Sequence, residues 1–404
     1  MTKTLPDPRV ADTSATESDS ALPETPDTDG GYPRLSDGQI AALADRGERR
    51  ATHRGERLFQ EGERCSEFFV VLSGRVVILQ GHCDEEHVLR VHGPGRFLGE
   101  LGLLEGQPAF YSAEVRIPGE VLVLPLEELR GLVGRDPVLS DLILRAYLIR
   151  RMQLIGLGAG FQIIGSCYSP DTHRLREFAA RNRLPHRWID LEKDDEAEAL
   201  LRRFGINPAQ TPVVVWAGKT VLRNPSNAEM ARVMGLLHAE VPEDVIDILI
   251  VGAGPAGLAA AVYGASDGLV TTAVDGTATG GQAGTSSRIE NYLGFPAGVS
   301  GAELAERAAL QADKFGAVIT VPFTATSLES RDGYYVVSID DGTTLTARTV
   351  LLATGAHYRR LGVPGLDRLE GTSVYYAATM QEAQLCRADP VAIVGGGNSA
   401  GQAA

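Results

Sequence analysis

Three glycines, Gly252, Gly254 and Gly257, follow the apolar run Ile248 to Val251 at once, and Leu258 to Ala265 then reads as a small-residue helix. A strand that feeds a glycine turn and opens a helix is suited to bind the diphosphate of a dinucleotide. Gly252 allows the tight turn, Gly254 lets backbone approach the pyrophosphate, and Gly257 lets the helix pack close to the strand. Pro255 and Ala256 complete the loop, whose first-turn N–H groups and helix dipole favour an anion. Val270 to Val274 reads as a second strand ending on Asp275. A carboxylate there accepts a hydrogen bond from a free ribose 2′-OH and repels a 2′-phosphate, so the ligand is FAD or NAD and not NADP.

Other chemistry-bearing residues are sparse. Cysteines at 65, 83, 167 and 386 are too few and too scattered for a disulfide framework. Eight histidines show no metal spacing, and His87 and His92, five apart on a strand-like stretch, do not share a face. No metal site is expected. Arg348 and Arg359-Arg360 read as solvated charges rather than ligands of an NADP 2′-phosphate.

The elements that position these residues belong to a multidomain chain. Its 404 residues should hold two to four domains, and 44% hydrophobic with 22% charged residues is ordinary globular composition. A formal charge of -14 argues against nucleic acid or an anionic membrane as partner. With no membrane-length apolar run and no signal-peptide pattern, the plain expectation is a cytoplasmic protein. Residues 1–32 are rich in Thr, Ser, Pro, Asp and Glu and read as a disordered acidic tail.

Residues 33–156 have all-β texture followed by a helix. FFVVLSGRVVIL (Phe68 to Leu79) is two strand-like runs around Ser73-Gly74, and further short strands with glycine punctuation suggest a small barrel or jelly roll. The order resembles a cyclic-nucleotide-binding domain, with RLFQEGE (Arg57 to Glu63) as its early turn and FLGELGLLEGQP (Phe97 to Pro108) as its phosphate-binding cassette. The resemblance implies that Glu100 binds a ribose hydroxyl, but the place of the arginine that pairs the cyclic phosphate holds Ala109. The reading is a barrel kept for its shape. Asp136 to Ile155 is helical, with Asp136 as cap and Val138, Leu142, Ala146 and Ile149 near one face. In the related regulators a helix here pairs two subunits, which implies a homodimer. GLGAG (Gly156 to Gly160) follows as a flexible joint in place of a helix-turn-helix.

Residues 161–241 alternate between strand and helix: QIIGS, a helix from Pro170 to Asn182, RWIDLE, a helix near Ala197 to Phe204, TPVVVW, and a closing helix after Ser226. This resembles a glutaredoxin or thioredoxin-like α/β domain, with Thr211-Pro212 at the family's cis-proline and GKTVLRNPS as its last hairpin. Where the family carries C-x-x-C there is Ser166-Cys167-Tyr168-Ser169, a single thiol that cannot close an intramolecular disulfide.

From Val245 onward the chain resembles the FAD half of low-molecular-weight thioredoxin reductases, a Rossmann-type α/β fold with three layers. The resemblance makes residues 245–385 an FAD-binding domain and 386–404 the start of an NAD(P)-binding domain. The resemblance places Gly280, Gly281 and Gln282 against the isoalloxazine and makes Glu290-Asn291-Tyr292 the next flavin-side element. YYVVSIDDGTTLTARTVLLATGA (Tyr334 to Ala356) supplies a hairpin and a strand ending in Ala353, Thr354 and Gly355, the family's second FAD motif. PVAIVGGGNSAGQAA (Pro390 to Ala404) repeats the fingerprint, with a strand, Gly395, Gly397, Asn398, Ser399 and Ala400. Two fingerprints suit a flavoprotein reductase, one for FAD and one for NADH or NADPH.

Two departures qualify the resemblance. The redox-active C-x-x-C of thioredoxin reductases is replaced by Ala377-Ala378-Thr379-Met380, and neither alanine nor a thioether can form and release a disulfide. Cys386 a few residues on, alone or paired with Cys167, is a weak substitute. The chain also stops at Ala404, within the second fingerprint's helix, so a truncated and inactive fragment with poor FAD retention is expected. The leading expectation is an FAD-dependent NAD(P)H oxidoreductase without the dithiol, passing electrons to a small protein or small-molecule acceptor, such as a one-electron carrier or quinone. The alternatives are a regulatory or scaffold redox sensor and a flavoenzyme gated by a cyclic nucleotide.

Overall fold

Short β-branched and aromatic runs punctuated by glycine build the first unit from two antiparallel sheets. The computed structural model describes residues 22–404 except 82–86, 100–106, 195–196, 218–219, 237–244, 357–358, 367–368, 371–372, 377 and 379–389. A helix the texture did not announce, α1 (Asp37–Ala44), comes first. Its signal was local: Ser36 and Gln39 form a reciprocal capping box. The strands are β1 (Glu48–Ala51), β2 (Arg57–Phe59), β3 (Glu67–Val71), β4 (Arg75–Gln80), β5 (His87–His92), β6 (Phe97–Leu98), β7 (Ser112–Ile117) and β8 (Glu120–Pro125). They pair in the orders β1-β8-β3-β6 and β2-β7-β4-β5. The runs on either side of Ser73-Gly74 therefore enter opposite sheets. Gly74 turns between them at φ +84, where a Cβ would meet the Ile117 carbonyl at 2.4 Å.

Two helices close this barrel, α2 (Leu126–Val133) and α3 (Pro137–Leu157). Asp136 caps α3 by accepting from the Val138 and Leu139 amides, both at 3.0 Å. The buried stripe of α3 is Leu139, Ile143, Ala146, Tyr147, Arg150 and Leu154, and Val138 is 70% exposed. The helix is thus rotated from the face that Val138 and Leu142 suggested. Both stripes are apolar up to residue 149, and packing on Phe68, Phe97 and Leu124 selects the one that also buries Arg150. Each such side chain contributes roughly 1.5–3 kcal/mol when fully buried.

The described part of the acidic leader departs from the expectation of disorder. Residues 22–32 lie on the barrel: Thr25 N–H donates to the Val91 carbonyl (3.1 Å), and Glu24 pairs with Arg96 (2.9 Å) and Arg34 (2.6 Å). Its acidity, read as a reason for solvation, finds arginines that only the fold brings together.

Gly158 (φ +63) ends α3, and β9 (Phe161–Gly165) begins at once, so the expected joint is a short turn. The middle unit continues with α4 (Pro170–Arg181), β10 (His186–Asp190), α5 (Ala197–Arg203), β11 (Val213–Trp216), β12 (Thr220–Arg223) and α6 (Asn227–Val233). Its sheet runs β10-β9-β11-β12, parallel between β10 and β9 and antiparallel elsewhere, and the Thr211–Pro212 peptide is cis. Phe110 of the barrel stacks on Trp216 at 6.1 Å, within one apolar cluster that joins the two units.

The third unit contains β13 (Ile246–Val251), α7 (Pro255–Ser266), β14 (Thr271–Val274), α8 (Gly301–Lys314), β15 (Val318–Thr320), β16 (Ala325–Arg331), β17 (Tyr334–Ile339) and β18 (Thr344–Leu352). The sheet order is β15-β14-β13-β18-β17-β16, with its first four strands parallel and the last three a meander. Alanines of α7 and α8 pack on one face around Ile250 and Ala273. Val337, Ile339 and Leu345 of the meander cluster with Leu249 and Val274. This is a Rossmann-like nucleotide fold. No helix among the described residues is long and apolar enough to cross a membrane.

Candidate dinucleotide site

The turn between β13 and α7 is built as the glycine spacing requires. Gly252 adopts φ +107, and a Cβ on it would sit 2.2 Å from the Ala353 carbonyl oxygen. At Gly257 a Cβ would fall 1.8 Å from the Gly252 carbonyl oxygen, so close helix–strand packing excludes every side chain. Gly254 differs. A Cβ there would find only the Gly281 Cα, at 4.0 Å, so the missing side chain leaves open space. No side chain caps α7, whose N1 residue is Pro255, so the amides of Ala256 and Gly257 are free of a side-chain cap. That opening, with uncapped amides behind it, fits a diphosphate.

Asp275 ends β14 as expected, but with more partners. One carboxylate oxygen accepts from Ala253 N–H (2.9 Å) and the other from Thr277 (2.8 Å) and Ala278 (3.2 Å). The side chain therefore locks the glycine turn to the loop after β14. A carboxylate has about four acceptor positions, so one remains for a ligand hydroxyl.

Gly280 (φ +93) donates its N–H to the Ala253 carbonyl at 2.7 Å, and Gly281 faces Gly254 across the turn. Gln282 Nε2 donates to the Ala356 carbonyl at 2.6 Å, which ties this loop to the end of β18. There Ala353 N–H donates to Val251 O (2.8 Å), and Thr354 and Gly355 (φ +72) follow in exposed chain. Gly252, Gly254, Pro255, Ala256, Gly257, Asp275, Gly280, Gly281, Gln282, Ala353, Thr354 and Gly355 thus meet at one end of the parallel strands. An open cleft with about 250 Å³ of unfilled space adjoins them, lined by Pro255, Leu258, Gly280, Ala283, Tyr292 and Ala305 among others. Asn291 is exposed in the loop beside Tyr292.

The second fingerprint is only half formed. Gly395 (φ +128) and Gly397 lead into α9 (Asn398–Ala403), which contains Ser399 and Ala400. The run 390–394 makes no strand, and Val391, Ile393 and Val394 are exposed. A parallel strand needs neighbours to satisfy its backbone groups, and the described residues supply none here.

Elsewhere the candidate residues behave variously. Cys65 and Cys167 are free thiols; Cys83, Cys386, Glu100 and most of Ala377–Met380 lie outside the described residues. Cys167 stands before α4, and its N–H donates to Asp190 (3.1 Å). Desolvation first, then the Asp190 carboxylate, push its thiol above the ordinary range, the opposite of an activated nucleophile. Ala109 is tied by backbone to residues 62 and 63. Arg348 pairs with Asp247 (3.2 Å) and Arg360 with Glu370 (2.9 Å). Among the described residues no group of His, Cys, Asp and Glu could hold a metal.

One cluster escaped the sequence reading. Glu306 of α8, 8% exposed, pairs with Arg151 of the barrel helix α3 and with Arg183 of the middle unit, each at 3.1 Å. Arg183 also donates to the Ala302 carbonyl (2.6 Å) and to Thr279 Oγ1 (3.2 Å), beside the Gly280 loop. No local signal marks this meeting of three units.

Comparison with known proteins agrees with this geometry. Residues 49–136 match the cyclic nucleotide-binding domain family, and residues 246–404 match the pyridine nucleotide-disulphide oxidoreductase family. The chain thus carries a cyclic nucleotide-binding match ahead of a thioredoxin reductase-like, pyridine nucleotide-disulphide oxidoreductase match. It is 40% identical over 154 residues to a thioredoxin reductase of Treponema pallidum (strain Nichols), covering 38% of this chain and 49% of that one. It is 36% identical over 158 residues to a bifunctional thioredoxin reductase/thioredoxin of Mycobacterium leprae (strain TN), covering 39% of this chain and 34% of that protein. It spans about half the length, or less, of these curated relatives. The crystal structure of Lactococcus lactis thioredoxin reductase shares 30% identity over 31% of this chain and 40% of that one, with a TM-score of 0.29.

Proposed function

We propose that residues 245–404 bind FAD through the Gly252–Gly257 turn and serve an NAD(P)H-dependent oxidoreductase whose electron acceptor needs no enzyme dithiol. The observation that carries this is the open side of Gly254, backed by uncapped first-turn amides of α7 and the locked Asp275 carboxylate. FAD, when bound, supplies the hydride-accepting ring. The chain's own residues do the holding: the amides of Ala256 and Gly257 take the diphosphate, and Asp275 takes a ribose hydroxyl. The loop of Gly280, Gly281 and Gln282, tied to Ala356, with Asn291 beside it, flanks the ring. Gly395, Gly397, Asn398, Ser399 and Ala400 belong to the site of NADH or NADPH.

Ala377 and Met380 stand where relatives keep sulfur, which leaves a one-electron carrier, a quinone or another small protein or small molecule as acceptor. The β10-β9-β11-β12 sheet with α4 following β9 supports a thioredoxin-like middle unit, which acts as a docking module since its one thiol is deactivated. The functional protein is a cytoplasmic homodimer in this reading. A regulatory role for the two leading units is favoured by Glu306, which ties both to α8.

The decisive experiment is visible absorption of the purified chain with added FAD, followed by NADPH or NADH without oxygen. A saturable shift of the flavin bands as FAD is titrated in establishes the site, and bands that stay those of free FAD refute it. A bound flavin that neither nucleotide bleaches favours the regulatory role instead.

A further inference from the structure

The barrel carries a second cleft, open to solvent, between β4, β5 and α3. Ile78, Leu89 and Leu154 give it apolar walls, and Arg90 and Arg150 bring guanidinium groups into it. Such a site is suited to a molecule that carries both a ring and a negative charge. The leader supplies the ring and, in place of the charge, a backbone carbonyl. The Tyr32 ring sits beside the Arg150 guanidinium, 4.8 Å from its carbon, and beside that of Arg90, at 5.5 Å. Its edge-on neighbour is His92, at 5.4 Å. The Tyr32 hydroxyl donates to Gln153 Oε1 (2.9 Å) and accepts from Arg90 Nε (3.2 Å), and Arg150 Nε donates to the Gly31 carbonyl. Outside the cleft lining, Glu24 anchors the leader: it pairs with Arg96 and Arg34 and accepts from Gly93 N–H (3.2 Å).

The geometry points to residues 24–34 as a tethered occupant of the barrel cleft, an internal plug that an anionic, ring-bearing ligand must displace to enter. The plug is held in a way that permits release. Thr25 covers the edge of β5 at Val91, and residues 24–34 add no buried hydrophobic side chain to the barrel core, although Glu24 meets the buried Arg96. Leu22 is the leader residue that packs on the barrel's apolar cluster of Val77, Leu79 and Val91. Arg150 and Gln153 of the cleft flank Arg151, the partner of Glu306, so α3 carries both the plug's partners and the link to the nucleotide fold.

A plug of this kind lowers apparent affinity in proportion to the fraction of molecules in which the cleft is open. The test compares the full chain with its Glu24→Gln/Tyr32→Ala variant in calorimetric titrations with cAMP and with cGMP. Inorganic phosphate serves as a probe of charge alone. The variant should bind one of the two cyclic nucleotides at least about fivefold more tightly than the parent, the low end of ordinary coupling between sites. It should gain nothing toward phosphate. Tyr32→Phe, which keeps the ring and the packing, should fall between parent and double variant. Hydrogen exchange on the parent gives an independent reading, since saturating nucleotide should remove protection from the Thr25 and Val91 amides. Equal affinity of parent and variant, including no binding by either, overturns the plug. So does nucleotide binding to the parent with the Thr25 and Val91 protection intact.

Discussion

Replacing Glu306 by alanine tests whether the three units are coupled by charge. The carboxylate is buried between Arg151 and Arg183, whose side chains are 11% and 14% exposed, so solvent screens neither pair strongly. Removing one partner of a buried pair leaves an uncompensated charge and costs about 3–5 kcal/mol. Arg183 keeps the Ala302 carbonyl and Thr279 hydroxyl as acceptors, so the low end, about 3 kcal/mol, applies. Glu306→Gln keeps the shape and an acceptor and should lose about 1–2 kcal/mol. Unfolding of a three-unit chain is not two-state, so the measure is native-state hydrogen exchange of the α8 amides, which reports local opening directly. Arg183→Ala and the Glu306→Ala/Arg183→Ala double variant complete a cycle, and their coupling should exceed about 1 kcal/mol. An α8 opening free energy within about 0.5 kcal/mol of the parent, or additive single losses, would refute the argument.

Three further outcomes follow from the same geometry. Gly254→Ala should leave thermal stability nearly unchanged yet weaken FAD affinity in an equilibrium titration. Gly257→Ala should lower both, since its Cβ would collide with the Gly252 carbonyl; equal effects of the two would contradict the assignment of the open side. Burial first, then Arg150, Arg96 and Arg90, hold His92 well below the ordinary histidine range, so it stays neutral when folded and protonates through about pH 6.5 when unfolded. Its contribution is fully present above that pH and lost below it, by up to about 1.4 kcal/mol per pH unit, and His92→Gln should flatten the fall in opening free energy of the β5 amides, read by native-state hydrogen exchange between pH 7 and 5. Cys167, with its thiol pushed up, should alkylate slowly with iodoacetamide at pH 7 and faster as pH rises, and a rate already at its plateau by pH 7 would mark an activated thiolate instead.

What the sequence determined by itself was everything carried by neighbours along the chain. The Gly252–Gly254–Gly257 spacing, the β-branched run before it and the acid at 275 placed strand, turn and helix correctly, because each depends on a few consecutive residues. The Asp136 cap and the short strands of the barrel were legible for the same reason. Tertiary structure decided what depends on distant partners. Glu306 looks like any helix-surface acid until α3 and Arg183 meet it. The leader's acids look solvated until Arg34 and Arg96 converge on Glu24. The α3 face could not be chosen from two apolar stripes, and the run 390–394 needed a sheet edge to become a strand. Local spacing specifies backbone conformation, whereas burial and charge pairing are properties of groups that only folding brings together.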